Sequence, residues 1–268
     1  MDVPGFALIT GAASGIGKAC AFAFATEGSA GIALLDLNAS ALATVKSEIE
    51  ALRLSKTCKV ITYALNVTNE SDVDHAVTNA AQTFGRLDYA VNAAGIAIKH
   101  AGGAAFATTP DWQRVLDINV NGTFYVLRAV ARIMLDQSPI LSSIDSRPLQ
   151  RGSIVNFSSI QGVAGITLST AYTTAKHAVI GLTRTASEDY AAKGLRVNAI
   201  CPGYTETPMT TGNPDVLKAM QESVGSAVPM GRMGMPKEIA DGVLYLSGGR
   251  SSFVTGSCLM VDGGYTSR

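Results

Sequence analysis

Two hydrophobic periods alternate along this chain, and that alternation limits its fold more than any other feature. Short β-branched or aliphatic runs lie near 6–10, 31–36, 59–65, 88–92, 152–158, 195–200 and 258–261. Longer stretches of helical period separate them, near 15–28, 39–53, 70–84, 111–135, 172–193 and 236–247. A short apolar run, a helix and another short run form the pattern of parallel strands joined by crossover helices. Seven such runs predict an α/β fold with one seven-stranded parallel sheet and helices on both faces. No solenoid-type repeat competes with this reading. At 268 residues, 47 % of them hydrophobic, the chain suits a single domain over 1–268.

Composition removes several function classes. There are 21 basic and 21 acidic residues, with no Lys/Arg cluster to follow a phosphate backbone, so no nucleic-acid partner is expected. No basic leader precedes the first apolar run, and no segment approaches the ~18 apolar residues of a membrane span. The chain reads as cytoplasmic, without a membrane partner. Cys20, Cys58, Cys201 and Cys258 show no CxxC and no metal-like spacing, which reads as reduced thiols and no metal site. Only 16 % of residues are charged and the mean hydropathy is +0.23. That leaves more apolar surface than one globule needs, and a homo-oligomer is expected.

Ligands of such a sheet bind beyond the carboxyl ends of its strands. The segments 93–110, 158–171 and 201–235 follow strands and should converge on one cleft. The Ser/Pro-rich stretch "SSIDSRPLQRG", within an insertion over 138–151 and just beyond, precedes a strand and reads as a solvated insertion on the far side. Directly after the first apolar run comes "TGAASGIG", Thr10 to Gly17. Gly11, Ser14, Gly15, Ile16 and Gly17 there would bring a pyrophosphate close to backbone N–H groups at a helix N-terminus. Alone, the same turn is also what a purely structural strand-to-helix connection looks like. The second run ends in Asp36 and Leu37, about 20 residues on, where a carboxylate can accept from ribose hydroxyls. Asp36 would repel a 2′-phosphate, and Ser14 stands where a basic residue would welcome one. Both favour NAD over NADP.

The chain resembles the short-chain dehydrogenase/reductase family from about residue 5 to its C-terminus. The resemblance rests on an ordered set: "TGAASGIG", "NVT" at 66–68, "NAAG" at 92–95, "DINVNG" at 117–122, "IVNFSS" at 154–159, Tyr172 and Lys176 as YxxxK, "NAICPG" at 198–203 and "VDGG" at 261–264. It implies a Rossmann-like doubly wound fold and a catalytic set of Asn119, Ser159, Tyr172 and Lys176. Ser159 lies thirteen positions before the tyrosine; Ser158, its neighbour, is the alternative. On a helix Lys176 falls one turn beyond Tyr172, so its ammonium can approach both the phenol and a bound ribose. An unperturbed phenol, with pKa near ~10, needs such help to ionise at neutral pH.

The resemblance also implies that Asn66 and Val67 flank the adenine, although the family usually has Asp at the first position. Asn92, Ala93, Ala94 and Gly95 would pass beside the cofactor's riboses. Pro202 and Gly203 would turn towards the nicotinamide, with Thr205 and Thr207 near the carboxamide and pyrophosphate. The implied assembly is a tetramer or dimer through the helical runs 111–135 and 172–193, whose apolar positions include Val115, Ile118, Phe124, Val126, Leu127, Val179 and Leu182.

The expected reaction is hydride transfer between NAD(H) and a secondary alcohol or ketone. Cleft residues Ile96, Ile98, Val163, Ile166, Leu168, Tyr204, Met209 and Met220 suggest a bulky, apolar small-molecule substrate. Lys99 and His100 read as a solvated loop tip. The Gly/Pro-rich segment 204–235, with its amphipathic "DVLKAMQESV", reads as a substrate lid. Two other readings stay open: non-redox chemistry on the same fold (isomerisation, dehydration or cyclisation), or a non-catalytic nucleotide-binding scaffold.

Overall fold

A computed structural model describes residues 3–52, 54, 58–141, 145–212 and 214–267. The strands are β1 (Phe6–Thr10), β2 (Gly31–Asp36), β3 (Lys59–Ala64), β4 (Tyr89–Asn92), β5 (Ile140–Leu141), β6 (Pro148–Gln150), β7 (Gly152–Phe157), β8 (Leu195–Pro202) and β9 (Cys258–Val261). The helices are α1 (Gly15–Thr26), α2 (Ala39–Glu50), α3 (Glu70–Phe84), α4 (Thr109–Leu116), α5 (Thr123–Asp136), α6 (Thr170–Tyr190), α7 (Pro208–Thr211), α8 (Pro214–Ala227) and α9 (Pro236–Ser247). Seven strands pair in parallel in the order β3-β2-β1-β4-β7-β8-β9. This is the expected Rossmann-like doubly wound sheet.

The two faces follow from alternation along β1. Ala7 and Ile9 point into a core with α1, α2 and α9, while Leu8 points into a second core with α3, α5 and α6. Side chains two apart share a face, so each central strand must be apolar on both sides. Accordingly β4, β7 and β8 are buried throughout. Edge strand β3 is less covered: only Val60 is buried, Ile61 and Tyr63 are half-buried, and Lys59, Thr62 and Ala64 are exposed. The order in which strands are added reverses between β1 and β4, and the crevice opens there.

Three expectations change. The helical run 111–135 is α4 and α5 joined by a π-helical turn, Asp117–Gly122. The insertion 138–151 is not simply solvated: β5 and β6 form an antiparallel hairpin, and Gln150 at its end is buried, donating to Ser247 O at 2.8 Å. Residues 142–144 of that insertion, residue 53 of the run 39–53 and residue 213 of the segment 204–235 lie outside the described residues. So do residues 1, 2 and 268 at the chain ends. Finally, Val115, Val126, Leu127 and Val179, offered as association residues, are buried within the chain; of the set only Phe124 is exposed.

Gln150 meets Arg196 of β8, whose Nε donates to Gln150 Oε1 at 2.6 Å. The guanidinium also donates to Val254 O, Ser247 O and Gly248 O. It thereby satisfies the carbonyls that the end of α9 leaves open, and it ties hairpin, sheet and helix together.

Candidate active site

A cleft of about 590 Å³ runs across the carboxyl ends of the central strands. At one end lies the glycine turn between β1 and α1. Gly11 has φ +65°, and a Cβ there would stand 2.9 Å from Ala94 N. At Gly17 a Cβ would stand 2.1 Å from Gly11 O, so a side chain at either position would displace backbone. Gly15, φ +52°, faces Thr207 across the cleft. Ser14 is the extended N-cap of α1 and makes no side-chain cap, and no acidic residue stands in the first turn. The helix N–H groups therefore face the cleft without a protein anion to satisfy them.

Asp36 closes this end. Its Oδ2 accepts from Ala13 N at 3.1 Å and its Oδ1 from Asn38 N at 3.0 Å, which fixes the carboxylate and leaves each oxygen a further lone pair. Leu37 beside it is 74 % exposed and lines the cleft with Ile16, Asn66 and Val67. Asn66 Oδ1 is committed to Thr68 N at 3.1 Å, so its amide has donors left to offer.

Ala93, Ala94 and Gly95 form the cleft floor, but Asn92 does not line it. Its Nδ2 donates to Asn156 Oδ1 at 2.8 Å, and Asn156 donates in turn to Thr183 Oγ1. Asn119 is also withdrawn. Fully buried in the π turn, it accepts from Ile96 N at 2.9 Å and donates to Ile96 O at 2.8 Å. The side chain thus acts as a clamp on the strand-to-loop transition after β4. A Cβ at Gly95 would stand 3.1 Å from Asn119 Oδ1 and 3.7 Å from Lys176 Nζ, so the clamp borders the lysine.

Ser159, Tyr172 and Lys176 converge at the other end. Ser158 Oγ is buried and donates to Lys176 O at 2.9 Å, which leaves Ser159 as the serine that meets the Tyr172 hydroxyl. Lys176 Nζ donates to Phe157 O at 2.7 Å and sits 5.4 Å from the centre of the Tyr172 ring. Burial dominates the electrostatics of both groups. It pushes the Tyr172 phenol up to about 12, against an opposing hydrogen bond with Ser159, and pushes Lys176 down to about 8. With burial holding the phenol high, forming the phenolate calls for a favourable charge beside it.

Pro202, Gly203, Thr205 and Thr207 form the wall after β8. Thr205 Oγ1 donates to Gly203 O, and the backbone N–H of Thr207 is capped by Thr210 Oγ1 at 2.9 Å. Lys99 is exposed at the cleft, as expected of a loop tip. His100 is not: it is buried, its backbone N–H donates to Leu168 O at 2.8 Å, and its Nε2 lies 4.0 Å from Asp111 Oδ2. The chain folds its two cleft loops onto each other there, which takes the imidazole out of water.

The model of a family described as enoyl-(acyl carrier protein) reductase matches residues 11–266. Short-chain dehydrogenase fogB of Aspergillus ruber is 43 % identical over 270 residues, covering 99 % of this chain and 98 % of the relative. The chain belongs to the short-chain dehydrogenase/reductase family. A cyclohexanol dehydrogenase of Acinetobacter is another relative in this family, 37 % identical and covering 98 % of this chain and 95 % of its own. Among solved structures, levodione reductase aligns over 100 % of this chain and 99 % of its own, with TM-score 0.86 and 30 % identity. Membership in this family of dehydrogenases and reductases implies a nicotinamide cofactor and a small-molecule substrate. The cleft fits such a cofactor. Its glycine cradle admits no Cβ at Gly11 or Gly17, and the capless start of α1 and the free lone pairs of Asp36 match a pyrophosphate and a ribose.

Proposed function

We propose that this protein is an NAD(H)-dependent alcohol dehydrogenase or ketone reductase acting on a bulky, apolar secondary alcohol or ketone. The observation that carries the reading is the gathering of Ser159, Tyr172 and Lys176 at one end of a cleft whose other end holds Asp36. Gly11 to Gly17 and Thr207 hold the pyrophosphate. Asp36 and Leu37 take the adenosine ribose, Asn66 and Val67 the adenine, and Ala93 to Gly95 with Lys176 the second ribose. Pro202, Gly203 and Thr205 border the nicotinamide. Preference for NAD is supported by the charge map: the two lysines lining the cleft, Lys99 and Lys176, lie on the loop after β4 and on α6, away from Asp36.

When bound, the nicotinamide supplies the carbon that exchanges hydride with the substrate. The protein supplies the proton path and the geometry. Ser159 holds the substrate oxygen by a hydrogen bond, and Tyr172 takes the carbinol proton in oxidation or returns it in reduction. A phenol held at about 12 is a reluctant acid. The positive charge of Lys176 is then required to stabilise the phenolate, and burial strengthens that interaction by removing water. Asn119 positions Ile96 and the floor beside Lys176 rather than touching the reacting atoms.

Residues 204–235 act as the lid: Tyr204, Met209 and Met220 line the cleft, and Val224, Val228 and Met233 pack as a small separate core. A cytoplasmic setting fits the four free cysteines. Self-association to a tetramer or dimer is supported by exposed Phe124, Met230, Met235 and Phe253; light scattering at micromolar concentration checks it, and a monomer refutes it. The function itself is tested by NADH formation with a panel of secondary alcohols. No reduction of either nucleotide across the panel would return the choice to the non-redox and scaffold readings.

A further inference from the structure

The substrate end of the cleft is apolar apart from Ser159, Tyr172 and a few other polar groups, and most of those others are already committed. Thr205 and Thr210 spend their hydroxyls on backbone carbonyls, and Tyr204 lies edge-on against Tyr265. Gln161, two residues beyond Ser159, differs. Its Oε1 accepts from Thr173 Oγ1 at 2.8 Å, and Thr173 is the neighbour of Tyr172 on α6. The bond from Thr173 fixes the amide's orientation on the helix that carries the tyrosine, and the unpartnered end it presents is the Nε2 donor. Among the described residues Nε2 has no partner, and the side chain is only partly buried, on the cleft wall.

We infer that Gln161 is a specificity-determining residue, held by Thr173, that donates a hydrogen bond to a second oxygen on the substrate beside the reacting carbon. The substrate class is then a ketone or secondary alcohol bearing a further carbonyl or hydroxyl oxygen within a largely apolar frame. This rests on the dehydrogenase reading above and deepens it. A fixed donor discriminates strongly, because a compound lacking the acceptor leaves the amide desolvated and unpaired.

The test compares cyclohexanone with cyclohexane-1,2-dione and 2-hydroxycyclohexanone as substrates for reduction by NADH, in the parent and in Gln161→Leu, Gln161→Glu and Thr173→Val. The parent is expected to favour the two-oxygen compounds in kcat/KM by about tenfold, the worth of one neutral hydrogen bond. That ratio should fall about tenfold in Gln161→Leu. In Gln161→Glu, which keeps the bond to Thr173 but replaces the donor with an oxygen, the dione should become the poorest of the three. Thr173→Val should lose part of the ratio with the affinity for NADH unmoved. A parent with no preference, or a preference that survives both Gln161 variants, overturns the inference. If the parent reduces none of the three with NADH or NADPH, the dehydrogenase reading fails on its own account. Calorimetric affinities for the same ketones then decide the inference: tighter binding of the two-oxygen compounds that depends on Gln161 supports it, and equal affinities refute it.

Discussion

Asp36→Asn isolates one charge with little change of shape. The carboxylate is held by Ala13 N–H and Asn38 N–H, and it stands where the adenosine ribose of a nucleotide would lie. A doubly charged 2′-phosphate about 5 Å away is opposed by about 1.7 kcal/mol even at the dielectric of water, and by more in a partly buried cleft. That sets a floor of about tenfold on the preference for NAD over NADP. Asparagine removes the repulsion and keeps one acceptor for the Ala13 or Asn38 amide. The ratio of dissociation constants is therefore expected to contract to within about threefold. NAD affinity should itself fall about tenfold as a charge-assisted hydrogen bond becomes a neutral one. Fluorescence titration with NADH and NADPH measures both, and an unchanged melting temperature without nucleotide shows that the loop is intact. Equal affinities of the parent for the two nucleotides would sink the argument at its first step.

Three further outcomes are expected. Arg196→Met should destabilise the fold by about 3 kcal/mol, because Gln150 and the last carbonyls of α9 lose their buried donors together; denaturant unfolding checks it, and a loss under about 1 kcal/mol denies the keystone role. Burial holds Lys176 at about 8 instead of 10.5, so above pH 8 the unfolded chain keeps a proton that the folded chain has released. The parent should therefore gain stability relative to Lys176→Met as pH rises from 8 to 10.5, by something on the order of 3 kcal/mol, and parallel stability curves would contradict this. Amide exchange across 204–235 should slow when nucleotide and substrate are both bound, and unchanged exchange in a saturated ternary complex counts against the lid.

What could be read from residues alone was whatever local period determines. The strand and helix runs are legible because alternation and helical spacing are properties of a few neighbouring residues. The π turn was not: it carries Asn119, whose partner Ile96 lies 23 residues away. The same holds for Gln150, whose role appears only when Arg196 and the end of α9 arrive beside it. His100 looked like a loop tip because no local pattern reveals that two cleft loops fold together. Among the apolar positions of α4, α5 and α6, Val115, Val126, Leu127 and Val179 serve the chain's own core, since helices packed between a sheet and other helices bury more than one stripe, while Phe124 stays exposed. At the cleft the ordered motifs brought most named residues together. Asn92 and Asn119 face away from it, and the Gln161–Thr173 pair carried no motif at all.

The central claim is that Tyr172 exchanges the substrate proton. Tyr172→Phe removes one hydroxyl and keeps the ring, so measuring turnover beside nucleotide affinity separates chemistry from binding. NAD affinity should stay within about threefold while turnover of any alcohol the parent oxidises falls by at least ~10²-fold. A variant that retains more than about a tenth of parental turnover removes Tyr172 from the mechanism and the proposed reaction with it.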